Sequence, residues 1–496
     1  MKEEPKVRRG KVQKNAKGQA DFKPGSAAGP AVFDAEKIAT DPSLFWEAGD
    51  LECFLVENKQ GINGSTEQTW NRWPKDAIRI LLREKHFITL KAREGEASSD
   101  FERLLLHVRQ NRIVDLSTQS IAGYNAGLHA TLGKKILVRR SSKFVKPIQG
   151  NCDDIRRFIE SRLDLEDGSE SGGPKQAVYF HGWARASLEA RLNGSPGHWR
   201  PGQGIIFAGV SDCGKSRLQH NVITPLLGGR SADPAPYLFG ATDFNAEIAA
   251  AEHLLMEDPA SGTRAFDRVH FGEMWKQLVV AQTFRLHRKR EDAVTVCPFF
   301  RSTLSINSDP DKMRVLPLLT PDMREKLMLF LVSDTDIPFQ LDTMDERAAF
   351  SSLMENQVSA YAWWLLNEFK LPNGLFHKRY GVRGWLHPAL AQELFDDTPA
   401  AQLLAIIDAA HFAGAVQQSL WELESKSTVL GIWEDGHLEL ERLLLGSTFS
   451  QEAERLLRRN KIERLLSRLK EDEPDRVMQH RTNMQRRWMI TAPSAS

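Results

Sequence analysis

Residues Gly209-Val210-Ser211-Asp212-Cys213-Gly214-Lys215-Ser216 read G-x-x-x-x-G-K-S, and no other stretch constrains the chain as tightly. The apolar run Ile205-Ile206-Phe207-Ala208 stands directly before them and reads as a buried strand. Arg217-Leu218-Gln219-His220-Asn221-Val222-Ile223 follows and reads as a helix, with Pro225 expected to stop it. Strand, glycine loop and helix in that order are the context a phosphate-binding loop needs. Its glycines let backbone N–H groups curl around a phosphate, and the helix N-terminus adds partial positive charge. Lys215 is placed to reach the β- and γ-phosphates, and the Ser216 hydroxyl to ligate Mg²⁺. Residues 209–217, Arg217 included, are therefore the expected ATP contacts.

A chain of 496 residues has room for about three domains. Its apolar fraction of 41% is enough to build real cores. Lys and Arg number 66 against 65 Asp and Glu, so nucleic-acid binding has to come from local patches. Cys53, Cys152, Cys213 and Cys297 form no CxxC pair. That spacing indicates neither a zinc site nor a disulfide framework, and it fits a reducing compartment, so a cytoplasmic location is expected. Cys213 reads as a space-filler within the loop, where oxidation could block a nucleotide. No apolar run approaches the roughly 20 residues of a membrane span, and the first residues do not read as a signal peptide.

Along the chain, 1–30 is rich in Lys, Gly, Ala and Pro and is expected to be a disordered basic arm, either a solubilising tail or a loose nucleic-acid contact. Residues 31–175 read as a small α+β domain, with strands around Phe45-Trp46, Phe54-Leu55-Val56 and Ile136-Leu137-Val138. Its helices are expected over Asp76 to Lys85 and Asp153 to Leu163. Gly168 to Pro174 is a linker or loop. The nucleotide domain is expected over 176–340 and a helical region over 341–430, with Ala348 to Phe369, Pro388 to Leu394 and Pro399 to Ile407 as helices. The segment 431–496 alternates helix with a strand-like end at Arg487-Trp488-Met489-Ile490.

A phosphate loop needs an acidic strand to hold Mg²⁺ and polarise the attacking water. The stretch Ala251 to Asp258 ends in Glu257-Asp258, 42 residues beyond Lys215 (257 − 215). Glu257 is the expected Mg²⁺ ligand and Asp258 the general base; the bland alternative is a strand ending in solvated charges. A third strand, Arg301 to Asn307, ends in an Asn where ligands bind in open α/β sheets. Its amide can bond the γ-phosphate and the water, although Asn307-Ser308-Asp309-Pro310 is also strong turn chemistry. Between them, Phe284 to Arg290 carries Arg285, His287 and Lys289. That run is either a solvated face or a hairpin that contacts nucleic-acid phosphates.

Taken together, these segments resemble the A, B, B′ and C motifs of superfamily 3 helicases, and more narrowly the helicase part of phage- and plasmid-type primase-helicases. Leu227-Gly228-Gly229-Arg230, Thr242-x-Phe244-Asn245, Ala251-Glu252-His253-Leu254, Pro298-Phe299-Phe300-Arg301 and Leu316-Pro317 carry the likeness. Arg379-Tyr380-Gly381-Val382 and Trp385-x-His387-Pro388 extend it past the ATPase. The resemblance implies an α/β P-loop core of AAA+-like type, a winged-helix C-terminal segment, and a ring, usually a hexamer, moving single-stranded DNA through its pore. It also implies an arginine supplied by the neighbouring subunit, with Arg314 preferred and Arg324 as the fallback. No primase domain is expected ahead of residue 45, so a separate primase or initiator is an expected partner.

Two other functions fit parts of the pattern. An ATP-gated DNA switch or loader would hydrolyse ATP without unwinding. A small-molecule phosphotransferase would use the same loop, but the helical C-terminal region and the basic hairpin argue against it.

Overall fold

The computed structural model describes residues 44–47, 53–60, 66–86, 89–92, 94–164, 175–259, 265–289, 292–317, 321–396, 398–412, 428–432, 436–458, 460–481 and 486–491. The expected basic arm and the linker at 168–174 lie outside them. The chain divides into one unit ending at Ser117 and another starting at Thr118.

In the first unit, Leu44–Glu47 pairs antiparallel with Cys53–Gln60, which pairs with Thr66–Trp73. Ile113–Val114 joins the other edge in parallel. Helices Lys75–His86 and Asp100–Asn111 bury Ile78, Leu82, Phe101, Leu104 and Val108 in a small core. The second helix is held at its start by a reciprocal Ser99–Glu102 capping box, which satisfies two otherwise orphaned N–H groups.

The second unit is built on helices α1 (Asp153–Leu163) and α2 (Gln176–Asn193), then strands β1 (Gly204–Gly209), β2 (Ser231–Ala232) and β3 (His253–Glu257). Helix α3 (Ala265–Val280) and the hairpin β4 (Phe284–Leu286) and β5 (Val294–Val296) follow. Strands β6 (Arg301–Asn307) and β7 (Leu327–Leu331) and helix α4 (Met344–Asn367) complete it. The sheet order is β7-β1-β6-β3-β2, and every pair in it is parallel. Helices cover both faces, which is why β1 reads as an unbroken apolar run. Ile205 and Phe207 point to the face packed by α1, α2 and α4. On the other face, Trp275 of α3 packs beside Gly204 and donates to Ser302 Oγ at 2.8 Å.

Two domain boundaries read from sequence shift. Helix α1, expected in the N-terminal domain that ends at 175, buries Ile155, Phe158, Ile159 and Leu163 in the same core as β1. Helix α4, expected in a separate helical region, buries Phe350, Met354, Val358, Tyr361 and Leu365 there too. Their apolar stripes find cover only against the parallel sheet.

Pro225 does not stop the helix after the loop. The helix widens to π geometry over Leu218–Ile223 and continues as Thr224–Leu227 before Gly228 ends it at φ 135°. The Thr224 N–H bonds back to Gln219 O. That shift of register accommodates a residue with no N–H to give.

Beyond helix Pro388–Asp396 a second core gathers residues from Phe395 to Ile490, so this segment begins ahead of the expected 431. It contains α5 (Pro399–Ile407), β8 (Thr428–Ile432), α6 (Gly436–Leu445), α7 (Ser450–Leu457) and α8 (Ile462–Asp472). The hairpin β9 (Val477–Arg481) and β10 (Arg486–Ile490) closes it, and the antiparallel sheet order is β8-β10-β9. Among the described residues, no helix is long and apolar enough to cross a membrane.

Candidate functional site

The glycine loop leaves the C-terminal end of the central strand β1. A Cβ on Gly209 would lie 2.8 Å from Val332 O and 2.9 Å from Cys213 Sγ, so only glycine fits. Gly214 has φ 99°, in the left-handed region that other residues resist. Lys215 is buried, and its Nζ donates to Gly209 O at 2.8 Å and Val210 O at 2.5 Å. Val210, Ser211, Asp212 and Ser216 are exposed around it and Arg217 is half-buried. Cys213 is buried, and burial pushes its thiol up from the usual range. It stays protonated and packs, which removes the thiolate that oxidation requires.

Strand register brings the acidic pair and the Asn to this same edge. Asn307 of β6 is level with Gly209 of β1, and Ser305, two residues earlier, is level with Glu257 of β3. The Asp258 N–H then donates to Ser305 O at 3.0 Å. Asp258 sits at φ 36°, a conformation that costs a non-glycine residue roughly 1–3 kcal/mol. The turn aims its carboxylate at β6, where Oδ1 accepts the Asn307 N–H at 3.2 Å. The side chain of Asn307 also accepts the Asp309 N–H at 3.3 Å, so the turn chemistry seen in the sequence is real as well.

Glu257 is exposed, and its Oε1 lies 3.5 Å from His220 Nε2, on the helix that leaves the loop. Among the described residues, no group of three or more His, Cys, Asp or Glu stands together as a metal site. Mg²⁺ keeps several waters and takes oxygens from phosphates, so it needs only one or two protein ligands. The exposed oxygens of Ser216 and Glu257 fit that demand.

Buried side chains tie the layers beneath the site. His253 of β3 bonds Thr224 Oγ1 through Nδ1 and Thr303 Oγ1 through Nε2, both at 2.7 Å. Burial holds its pKa down at about 3, so the ring is neutral. Arg230 pairs with the wholly buried Glu252, which also accepts the Gly123 N–H at 2.9 Å.

Arg162 escaped the sequence reading. It is buried on α1 and donates to the carbonyls of Cys213 (3.2 Å), Ser333 (3.3 Å), Thr335 (2.8 Å) and Asp336 (2.9 Å). Burial pulls the guanidinium below its usual range, with Asp336 and Asp334 opposing the shift. One side chain thereby fixes the glycine loop to the segment that follows β7. An Arg in an amphipathic helix ordinarily reads as surface, and no local signal marks this one.

The basic run forms the expected hairpin. Phe284 and Leu286 are buried, Arg285 and Lys289 exposed, and His287 half-buried. Asn245 clamps it: its Nδ2 donates to Arg285 O at 2.9 Å, and its Oδ1 accepts the His287 N–H at 2.8 Å. Phe244, 48% exposed, sets its ring 5.3 Å from the His287 ring. It is a second contact candidate that sequence alone did not single out.

Of the two arginine candidates, Arg314 is exposed one residue past the helix Pro310–Met313 that follows β6, on the loop side of the sheet. Arg324 precedes β7, at the other end of the sheet, and its Nη2 bonds Asp472 Oδ1 of α8 at 2.7 Å.

No family model and no curated protein matches the chain. Solved structures do. "The A form apo structure of NrS-1 C terminal region-CTR" superposes with a TM-score of 0.51 at 10% identity, covering 92% of this chain and 98% of that one. "The apo structure of NrS-1 C terminal region (305-718)" gives 0.51 at 11% identity, covering 93% and 99%. A structure described as "SCCmec type IV Cch - active helicase" overlaps more loosely, at 0.24 and 11% identity over 85% and 74%. The chain is thus a mixed α/β protein with a parallel sheet and a phosphate-loop sequence at the end of its central strand. Its fold is shared with the NrS-1 C-terminal region over nearly the full length of both.

Proposed function

We propose that this protein is an ATP-dependent DNA helicase of superfamily 3 type, with an AAA+-like core, that couples ATP hydrolysis to movement along single-stranded DNA. It would serve replication of a phage, plasmid or integrated element. The observation that carries the reading is the register that puts the Lys215 loop, Glu257-Asp258 and Asn307 at one edge of one parallel sheet. Three separate pieces of sequence thereby converge on a phosphate.

In this reading the loop N–H groups and Lys215 grip the phosphates, Asp258 takes the proton of the attacking water, and Asn307 orients it. Ser216 and Glu257 would hold Mg²⁺, which neutralises phosphate charge when bound. Arg314 of a neighbouring subunit would complete the site in a ring, a hexamer by resemblance. Arg285, His287 and Lys289 would meet the DNA strand. The order of helices and strands from α5 to β10, with sheet order β8-β10-β9, supports a winged-helix reading of the C-terminal segment. A primase or initiator would be a separate chain.

The deciding experiment is a fluorescent forked duplex incubated with the protein, ATP and Mg²⁺. Strand separation that needs ATP is the expected result. ATP hydrolysis stimulated by single-stranded DNA but without separation would replace the helicase with an ATP-gated switch or loader. Hydrolysis indifferent to DNA would sink both.

A further inference from the structure

The segment between α4 and β7's outer neighbour, residues 370–385, is not used by the site above. It packs at the opposite end of the sheet, because Gln203 precedes the first residue of β1 while the phosphate loop follows its last. A six-residue strand separates the two ends by about 20 Å. Here a cavity of about 440 Å³ is lined by Gln203, Arg324, Phe376, Lys378, Tyr380 and Arg383 among others.

Its wall holds two unsatisfied polar groups. Tyr380 is 3% exposed and its hydroxyl has no partner. Gln203 is 2% exposed; its Nε2 donates to Glu325 O at 2.8 Å, but its Oε1 accepts nothing. Buried polar atoms without partners are rare, and each one calls for an explanation. Around them stand three cations, Arg324, Lys378 and Arg383, against one acid, Glu325. Phe376 is 63% exposed. It also lines an adjoining cavity of about 420 Å³ that contains Lys370 and Arg185.

An acceptor, a phenol, an exposed aromatic face and cations are the elements that recognise a base with its phosphate. We propose that residues 370–385 form a second nucleotide-binding site, in which Gln203 Oε1 and the Tyr380 hydroxyl meet an amino-bearing base and Arg383 and Lys378 meet its phosphate. The chemistry is that of a nucleoside phosphate. The second cavity on the far side of Phe376 favours one unit of a single strand over a free nucleotide, since the next base finds a place beside the same ring. Burial raises the Tyr380 phenol above its usual range, so it remains a donor at neutral pH.

The test is photocrosslinking of the full chain with a short oligonucleotide carrying 5-iodocytosine, and separately with 5-iodo-dCMP, followed by peptide mapping. Crosslinks are expected in 370–385. Their yield should fall about fivefold or more in Tyr380→Phe and in Arg383→Ala, the loss of roughly one good hydrogen bond. Tyr380→Phe should melt at the same temperature as the wild type or higher, since it deletes an unpartnered hydroxyl, and that separates lost binding from lost folding. Crosslinking by the oligonucleotide alone identifies a strand site; crosslinking by both identifies a pocket that also admits free nucleotides. Crosslinks confined to other segments, or unchanged yields in both folded variants, would overturn the proposal. Either result leaves the reading of the phosphate loop untouched, because the two sites lie at opposite ends of the sheet.

Discussion

Arg162 Nη1 donates to the carbonyl of Cys213 at 3.2 Å, joining α1 to the glycine loop across 51 residues of chain. The same guanidinium holds the segment from Ser333 to Asp336, so the loop and the strand end beside it are positioned by one group. Arg162→Met should destabilise the fold by roughly 2–4 kcal/mol, because several buried carbonyls lose their donor. Arg162→Lys keeps the charge but not the planar fork and should fall between. Denaturant unfolding measures both. If the Lys variant folds, its KM for ATP should rise more than its kcat falls, and equal effects on both would mean that the contact does not shape the loop.

Lys215→Ala should abolish hydrolysis, by roughly 100-fold or more, and weaken nucleotide binding, because the ammonium stabilises phosphate charge before and during reaction. Asp258→Asn should keep binding and slow turnover by about 10²-fold or more. Asn tolerates left-handed backbone well, so this variant preserves the turn at φ 36° and tests the carboxylate alone. Asn307→Ala should resemble it. Normal turnover by Asp258→Asn in a steady-state assay would move the base elsewhere.

Replacing His287 and Lys289 together by Ala should reduce DNA-stimulated turnover and leave basal turnover largely intact. Loss of one phosphate contact should flatten the salt dependence of single-strand binding by about 0.7 in log–log slope. Phe244→Ala, beside His287, should weaken binding by roughly 1–3 kcal/mol if a base stacks there. DNA stimulation that survives all three changes demotes the hairpin to a solvated face.

Mixing Arg314→Ala with Lys215→Ala chains, each inactive alone, should restore partial hydrolysis, since some interfaces then hold one intact half from each partner. A trans arginine contributes roughly 10³–10⁵ in rate, so even a small rescued fraction stands above background. Absence of rescue in rings that assemble normally would move the finger away from Arg314.

His181 and His253 are wholly buried with pKa values near 3, both held down chiefly by burial. The unfolded chain binds their protons below about pH 6.5 while the folded chain does not. Stability is therefore unaffected by them above that pH and falls as pH drops from about 6.5 towards 3. The slope is about 1.4 kcal/mol per pH unit for each ring. His181→Phe should flatten the acid side of a stability-versus-pH curve measured by denaturant unfolding, and an unchanged slope would show that this ring is protonated in the fold.

The sequence by itself determined the features whose chemistry needs neighbours along the chain. The glycine loop, its preceding strand and its following helix are contiguous, as are Glu257-Asp258 at the end of one strand and Asn307 at the end of another. Periodicity placed α1, α4 and the hairpin within a few residues of where they lie. Tertiary structure alone decided what met what. Nothing local says that β6 inserts between β1 and β3, yet that order puts Asp258 beside Asn307 and both beside the loop. Nothing local moves α1 out of the N-terminal domain and buries Arg162 against Cys213, or draws Arg324 to Asp472 at the far end of the sheet. Strand order and helix docking are settled by which apolar faces cover one another across long stretches of chain, and a residue's own neighbours in sequence carry no record of that choice.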